Sequence, residues 1–157
     1  MTAEEGKKAP AFTMPTDGDG EVSLKDFKGK KLVMFFYPKD NTPGCTTESI
    51  GFSENLTKFR RAGADVIGVS KDSAASHDRF KEKQGLKMTL ASDKDGDVIE
   101  RYGSWIEKKN YGRTYMGIDR STFLIDENGK ILKIWRKVRV KGHVEEVLET
   151  VKSLKKG

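Results

Sequence analysis

Apolar residues along the chain follow two patterns, short continuous runs and segments with a period of about 3.6 residues. The runs at about 31–37 and 64–70 are rich in large and β-branched apolar residues and predict buried strands. The segments at about 44–61 and 73–84 carry apolar residues at helical spacing and predict helices. Strand, helix, strand, helix is the order of an α/β fold.

The rest of the pattern predicts a hairpin on either side of this unit and a closing helix. The further predicted elements are an N-terminal hairpin (11–14 and 21–24), a short strand (88–91), a short helix (97–102), an irregular segment (105–115), a second hairpin (121–126 and 131–138) and an amphipathic helix (143–155). This order is that of a thioredoxin-like fold, a central mixed β-sheet flanked by helices and preceded by an N-terminal β-hairpin.

Length and composition predict one domain over residues 1–157. The chain has 157 residues with 35% hydrophobic content, and no apolar run approaches the roughly 18 residues of a membrane span. The first eight residues of the chain as given are charged and carry no apolar segment of a secretory signal. We therefore expect a cytoplasmic protein without a membrane association.

The net charge of +6 comes from 30 basic residues interspersed with 24 acidic ones, a pattern typical of a solvated surface. One stretch, Lys133–Lys141, is concentrated in cations. A continuous strand there would place Trp135, Lys137, Arg139 and Lys141 on one face, and an aromatic ring among cations can hold single-stranded nucleic acid. An edge strand protected by charge is the interpretation we favour, so we expect no nucleic-acid partner.

The single cysteine, Cys45, follows a predicted strand and the lead-in Thr42-Pro43-Gly44. Threonine is a favoured helix cap and proline a favoured first helical residue, so Cys45 is predicted in the first turn of a helix. The helix dipole there favours the thiolate, which is the nucleophilic form. The other interpretation is structural, because helical periodicity also places Cys45 on the apolar stripe of Phe52 and Phe59.

Metal and disulfide chemistry are not expected from this sequence. One cysteine excludes an intrachain disulfide, and His77 and His143 lie far from it in sequence and from each other, without the spacing of a zinc site. We therefore predict neither a metal nor another cofactor, and we interpret both histidines as surface residues.

The spacing Pro38-x-x-x-Thr42-x-x-Cys45, followed by Glu48, resembles the peroxidatic-cysteine motif of peroxiredoxins. Residues 37–48 as a whole are similar to the bacterioferritin comigratory protein or peroxiredoxin Q branch of that family. The resemblance continues through residues 111–126 and covers essentially the whole chain. It implies a thioredoxin-like fold and thiol-dependent reduction of hydrogen peroxide and organic hydroperoxides.

The resemblance also implies a role for each motif residue. Cys45 would attack the peroxide and become a sulfenic acid, and Arg120 would keep the thiolate ionised and bind the peroxide oxygens. The Thr42 hydroxyl would contact the same substrate, Pro38 would shield the sulfur from water, and Glu48 would orient neighbouring groups. From the residues alone, Arg120 could instead form a surface ion pair with the adjacent aspartate, and Thr42 could act only as a helix cap.

The sequence departs from the commonest pattern of this branch in lacking a second cysteine. Ile50 stands where many members carry one, and residues 79–82 stand where others do. The sulfenic acid must then be reduced by an external thiol such as thioredoxin, glutaredoxin or glutathione. We expect a monomer.

The sequence leaves two other functions as alternatives. In the first, Cys45 would sense oxidation without turnover, and in the second the basic stretch would bind nucleic acid. A disulfide oxidoreductase is disfavoured because the chain has no Cys-x-x-Cys pair.

Overall fold

The computed structural model describes residues 3–154, which form a seven-stranded sheet, a separate two-stranded hairpin and five α-helices. The strands are β1 (Thr13–Thr16), β2 (Gly20–Ser23), β3 (Lys31–Phe36), β4 (Ala64–Ser70), β5 (Thr89–Ser92), β6 (Trp105–Asn110), β7 (Arg113–Ile118), β8 (Ser121–Ile125) and β9 (Ile131–Trp135). The helices are α1 (Pro43–Glu54), α2 (Leu56–Arg61), α3 (Ala74–Gln84), α4 (Val98–Arg101) and α5 (His143–Leu154).

The seven-stranded sheet is mixed and has the order β2-β1-β5-β4-β3-β8-β9. Strand β3 lies near its centre, parallel to β4 and antiparallel to β8, with Val33 opposite Val66 on one side and Leu124 on the other. Strands β1 and β2 form the N-terminal hairpin and add to the sheet through β5. The predicted mixed sheet with an N-terminal hairpin is confirmed.

Both faces of β3 are buried, which explains why its sequence is a continuous apolar run rather than an alternating one. Leu32, Met34 and Phe36 face one core cluster, which α4 and the N-terminal segment cover. Val33, Phe35 and Tyr37 face the other, which contains Cys45 and side chains from the other four helices.

The predicted helix at 44–61 is two helices separated at Asn55. The backbone of Asn55 leaves the helical region (φ −99°, ψ 4°), and its side-chain amide donates to the Gly51 carbonyl at 2.8 Å. Asparagine competes for backbone partners in this way because its short amide reaches the preceding turn. The predicted continuity was wrong, but both pieces pack on the same face of the sheet.

Residues 105–118 are a β-hairpin, not the predicted irregular segment. Strands β6 and β7 pair antiparallel through all six residues of each, from Trp105 opposite Ile118 to Asn110 opposite Arg113. The turn residues Tyr111 and Gly112 both have positive φ, 51° and 76°, as a two-residue hairpin turn requires. The strands are largely exposed on both faces, so the apolar alternation that signals a strand is missing.

The basic stretch is not a continuous strand. Strand β9 is the last strand of the sheet, and it ends at Trp135. The backbone then turns at Lys137 (φ 49°), whose N–H donates to Asp119 Oδ1 at 3.2 Å. The predicted face of one tryptophan and three cations is therefore wrong, whereas the edge position of the strand is confirmed.

The closing helix α5 begins at His143 as predicted, and Lys155, the predicted end, lies outside the described residues. Within residues 3–154, no helix is long and apolar enough to cross a membrane.

Candidate active site

Cys45 is the third residue of α1, directly beyond the loop that leaves the centre of the sheet. Thr42 is extended (φ −87°, ψ 152°) and precedes the helix, and Pro43 is its first residue. The backbone N–H groups of a first helical turn have no partner within the helix and carry partial positive charge, which favours an anion there. Cys45 is only 1% exposed and belongs to a core cluster, so the buried position and the helix start predicted from sequence are both present.

Arg120 joins Cys45 to Glu48. Its Nη2 donates to Cys45 Sγ at 3.3 Å, and its Nη1 donates to Glu48 Oε1 at 2.6 Å. Cys45 and Glu48 are three residues apart on α1 and therefore share one face of the helix. The alternative pairing of Arg120 with its neighbour is wrong, because the Asp119 carboxylate accepts a backbone N–H from Lys137 instead.

The charge of Arg120 is stabilised by the groups that it contacts. Burial acts to lower the pKa of Arg120, but the charges of Glu48 and Cys45 outweigh it, and the pKa is raised above its ordinary value. The guanidinium is therefore a permanent cation beside the sulfur. Its directed N–H donors place a fixed positive charge beside Cys45 Sγ.

Glu48 is fully buried, and burial disfavours the charged form of its carboxyl group. Burial raises its pKa to about 7, although the charge of Arg120 and its hydrogen bond act in the opposite direction. The oxygen Oε1 receives the Arg120 bond, while Oε2 is buried without a hydrogen-bond partner among the described residues. An ionised carboxylate with one uncompensated oxygen is costly in the interior, so Glu48 titrates near neutral pH.

This raised pKa predicts a pH dependence of stability that Glu48→Gln removes. Because the folded protein holds the Glu48 proton up to about pH 7 while the unfolded chain releases it near 4.5, the free energy of unfolding falls as pH rises between these values. Relative to the glutamine variant, the wild type should lose on the order of 3 kcal/mol over that window. Urea unfolding of both proteins from pH 4 to 8 measures the difference, and parallel curves would contradict the assignment.

Thr42 is placed as predicted but does not cap the helix through its hydroxyl. Its Oγ1 donates to the Lys39 carbonyl at 2.8 Å, and it accepts no N–H from the helix. The predicted capping bond is therefore wrong. Since the hydroxyl proton is committed to Lys39, the oxygen lone pairs can accept a hydrogen bond from a substrate O–H. Pro38 is half-buried two residues beyond the end of β3, and its shielding role stays a prediction.

Gly44 is a residue of this site that the motif alone did not single out. A side-chain carbon at Gly44 would lie 3.2 Å from Arg120 Nη2. The guanidinium thus reaches Cys45 by passing closely over a position without a side chain. The available signal was a glycine inside a helical turn, where it costs stability unless a close approach requires it.

Both histidines are buried, so the prediction of surface positions was wrong. His77 is 0% exposed and lies within hydrogen-bond distance of Asp40. His143 is 6% exposed, and its Nε2 lies 2.7 Å from Thr122 Oγ1. Burial lowers the pKa of His143 to about 4, so this ring is neutral at physiological pH. Within residues 3–154, no three His, Cys, Asp or Glu side chains are grouped so that they could hold a metal ion.

Ile50, at the position of the second cysteine in many members of the branch, is half-buried against the core cluster that contains Cys45.

A sequence profile of the AhpC/TSA family matches residues 6–134. The chain belongs to this family. A curated relative, peroxiredoxin Bcp of Bacillus subtilis, is 49% identical over 154 residues, which cover 98% of each protein. Peroxiredoxins are thiol-dependent peroxidases, and this peroxiredoxin is accordingly an oxidoreductase of that class.

Solved structures of peroxiredoxin Q proteins share the fold. The protein from Xanthomonas campestris superposes with a TM-score of 0.88 at 42% identity, covering 92% of this chain and 91% of that one. A cysteine-to-serine mutant of the Xylella fastidiosa protein gives 0.92 at 39% identity over 98% of both chains. The thioredoxin-like peroxiredoxin fold and the branch expected from the sequence are confirmed.

Proposed function

We propose that this peroxiredoxin reduces peroxides through Cys45 alone, by way of a sulfenic acid that an external thiol recycles. The observation that supports this most directly is the 3.3 Å contact between Arg120 Nη2 and Cys45 Sγ at the start of α1. The site combines a thiol in the first turn of α1, an acceptor hydroxyl at the end of its approach loop and a permanent cation, Arg120, from the connection between β7 and β8.

In the proposed first step, the Cys45 thiolate attacks one peroxide oxygen in line with the O–O bond. An S–O bond forms, the O–O bond breaks, and the leaving oxygen departs as water or alcohol after taking up a proton. The sulfur loses two electrons, which reduce the peroxide. Arg120 donates hydrogen bonds to the oxygens as negative charge moves onto them, and Thr42 Oγ1 accepts from the peroxide O–H.

The proposed substrates are hydrogen peroxide and organic hydroperoxides. A structure of the Xanthomonas campestris bacterioferritin comigratory protein, 42% identical to this chain, is described in terms of alkyl peroxide reduction. The sulfur is buried, and Pro38 and Thr42 of the approach loop are half-buried, which favours small or slender peroxides in this chain.

Recycling is proposed to use a thiol from outside the chain, because Cys45 is its single cysteine. A first thiol displaces water from the sulfenic acid and forms a mixed disulfide, and a second thiol releases Cys45 and leaves as the disulfide. Thioredoxin, glutaredoxin and glutathione are the proposed reductants, acting in the cytoplasm, where thiols are kept reduced. We propose that one monomeric domain carries out the cycle.

Peroxide consumption by the purified protein, with dithiothreitol, thioredoxin or glutathione plus glutaredoxin supplied separately, tests this function. Sustained turnover with at least one of these systems is expected. Oxidation of Cys45 without turnover in all three would instead indicate a redox sensor and contradict the proposal.

Mass spectrometry gives a direct prediction for the oxidised enzyme. After about one equivalent of peroxide without reductant, the chain should gain one oxygen and show no loss of two hydrogens, because no second thiol is present to condense with the sulfenic acid. Excess peroxide should add further oxygens. Glutathione added after the first equivalent should give a mixed disulfide, and a monomer that had lost two hydrogens would contradict the one-cysteine mechanism.

A further inference from the structure

The loop between β3 and α1, residues 37–42, is anchored by a buried carboxylate at its middle. Asp40 is 5% exposed and accepts three hydrogen bonds. Tyr37 Oη donates to Asp40 Oδ1 at 2.6 Å, while Ser76 Oγ and His77 Nδ1 donate to Oδ2, each at 2.8 Å. Helix α3 supplies two of these donors, so the loop that leads to Cys45 is tied to a different helix.

His77 connects this network to strand β5. Its Nε2 lies 2.9 Å from the Ala91 carbonyl in β5, which can only accept, so Nε2 carries a proton. Burial acts to raise the pKa of Asp40, but the bonds from His77 and Tyr37 outweigh it and lower that pKa, which keeps the carboxylate ionised. Nδ1 lies 2.8 Å from this carboxylate, so the buried imidazole bridges Asp40 and strand β5.

The backbone of the loop depends on this anchor. The Asp40 N–H donates to Asp72 Oδ2 at 2.8 Å, so both the main chain and the side chain of Asp40 are held by residues 72–77. The next residue, Asn41, adopts the left-handed conformation with φ 63°. Such a conformation persists only where surrounding contacts fix it. Asp40 lies two residues after Pro38 and two before Thr42, at the centre of the segment that approaches the sulfur.

We propose that His77 is a positioning residue for peroxide reduction: through Asp40 it fixes the β3–α1 loop so that the Thr42 hydroxyl faces a peroxide at Cys45. This inference rests on the proposed function, because it takes Thr42 as a peroxide-binding group. Removing His77 takes away one of the hydrogen-bond partners of the buried Asp40 carboxylate, and the loop then gains freedom. The loss should appear in the oxidation of Cys45, although His77 lies in another element.

A double-mutant cycle between His77 and Thr42 tests the proposal. The readout is the second-order rate constant for Cys45 oxidation by hydrogen peroxide, measured by stopped flow. His77→Leu and Thr42→Val should each slow oxidation by about tenfold or more. In the His77→Leu background, Thr42→Val should slow it by less than about threefold, since the hydroxyl is no longer held in place. The proposal would be overturned if Cys45 in the His77→Leu variant is oxidised at the wild-type rate. It would also be overturned if Thr42→Val slows oxidation by the same factor in both backgrounds.

Two further variants separate positioning from general stability. His77→Asn keeps a side-chain N–H toward Asp40. Its rate constant for Cys45 oxidation should therefore lie within about threefold of the wild-type value, and Thr42→Val should slow it by the full wild-type factor. His77→Asn also decides the question if His77→Leu fails to fold, because a folded His77→Asn variant that oxidises tenfold or more slowly than wild type would contradict the role of the donor.

Asp93→Ala is the matched control for loss of a buried carboxylate. Asp93 is 1% exposed and accepts the backbone N–H groups of Val98 and Ile99, at the start of α4. This variant should lower the melting temperature while leaving the Thr42→Val effect intact. If it reduces that effect as much as His77→Leu does, the coupling reflects instability and the proposal is wrong.

The same data distinguish this inference from the proposed function. A Thr42→Val variant that oxidises at the wild-type rate contradicts the peroxide contact itself, and with it the positioning of Thr42. A slow Thr42→Val variant beside a fast His77→Leu variant contradicts the positioning alone.

Discussion

Cys45→Ser is expected to abolish peroxide reduction, leaving only the rate at which the reductant itself consumes peroxide. A serine hydroxyl is not ionised at neutral pH, and neither Arg120 nor the start of α1 supplies enough stabilisation to make it a nucleophile toward an O–O bond. The smaller oxygen can still accept the Arg120 Nη2 hydrogen bond, so the site should keep its arrangement. Peroxide consumption with dithiothreitol in excess is the measurement.

The control for this variant is its fold. The far-ultraviolet circular dichroism spectrum should match that of the wild type, because the change only replaces one small side chain of the core cluster by another of similar size. Peroxide should also leave the mass of the serine variant unchanged. Substantial turnover by the folded variant would show that Cys45 is only structural.

The parts of the fold that the sequence predicts well are those buried on both sides. Strand β3 is an uninterrupted apolar run, and its two faces contribute to two separate core clusters. The start of α1 is predicted equally well, because Thr42 and Pro43 satisfy local rules of helix initiation. Local chemistry and burial act in the same direction at these positions.

Elements stabilised by polar contacts are predicted less well. The β6–β7 hairpin has exposed faces, with Tyr111 98% exposed at its turn, so its sequence lacks a period-two apolar pattern. The break at Asn55 depends on one side-chain hydrogen bond to Gly51. Neither feature carries a strong signal in hydrophobic periodicity, which records burial and not hydrogen bonding.

Contacts between residues distant in sequence are the least accessible part of the site. Arg120 was expected near Cys45 from the resemblance, but nothing in the sequence showed that its second partner is Glu48 rather than Asp119. His77 was interpreted as a surface residue because no residue near it in sequence suggested a catalytic partner, whereas its partner lies 37 positions earlier, in the loop after β3. Such pairs follow from the sheet order, which brings β3 beside β4 and β5 beside β4.

Arg120→Met should slow the oxidation of Cys45 by roughly tenfold to a thousandfold, the range expected for the loss of a preorganised charged donor. Methionine keeps an apolar side chain of similar length, but it removes the donor to Cys45 Sγ and the cation that offsets the thiolate. The rate constant for oxidation by hydrogen peroxide, measured by stopped flow across pH, is the readout. Arg113→Met is the matched control, because Arg113 is exposed at the start of β7. Cys45 in this variant should be oxidised at the wild-type rate.

Arg120→Met also removes the group that lowers the pKa of Glu48, so the carboxyl is left protonated and without its hydrogen-bond partner, and that loss of stability must be separated from the loss of rate. The double variant Arg120→Met/Glu48→Gln replaces the titratable carboxyl by a neutral amide, so above the Glu48 pKa it should be more thermally stable than Arg120→Met, while oxidation stays as slow as in Arg120→Met alone. Arg120→Lys should fall between methionine and wild type, because an ammonium restores the charge but cannot direct one N–H to the sulfur and another to Glu48 at once. Recovery of the oxidation rate in the double variant would mean that Arg120 acts by neutralising Glu48, and the direct role proposed for it at the sulfur would be wrong.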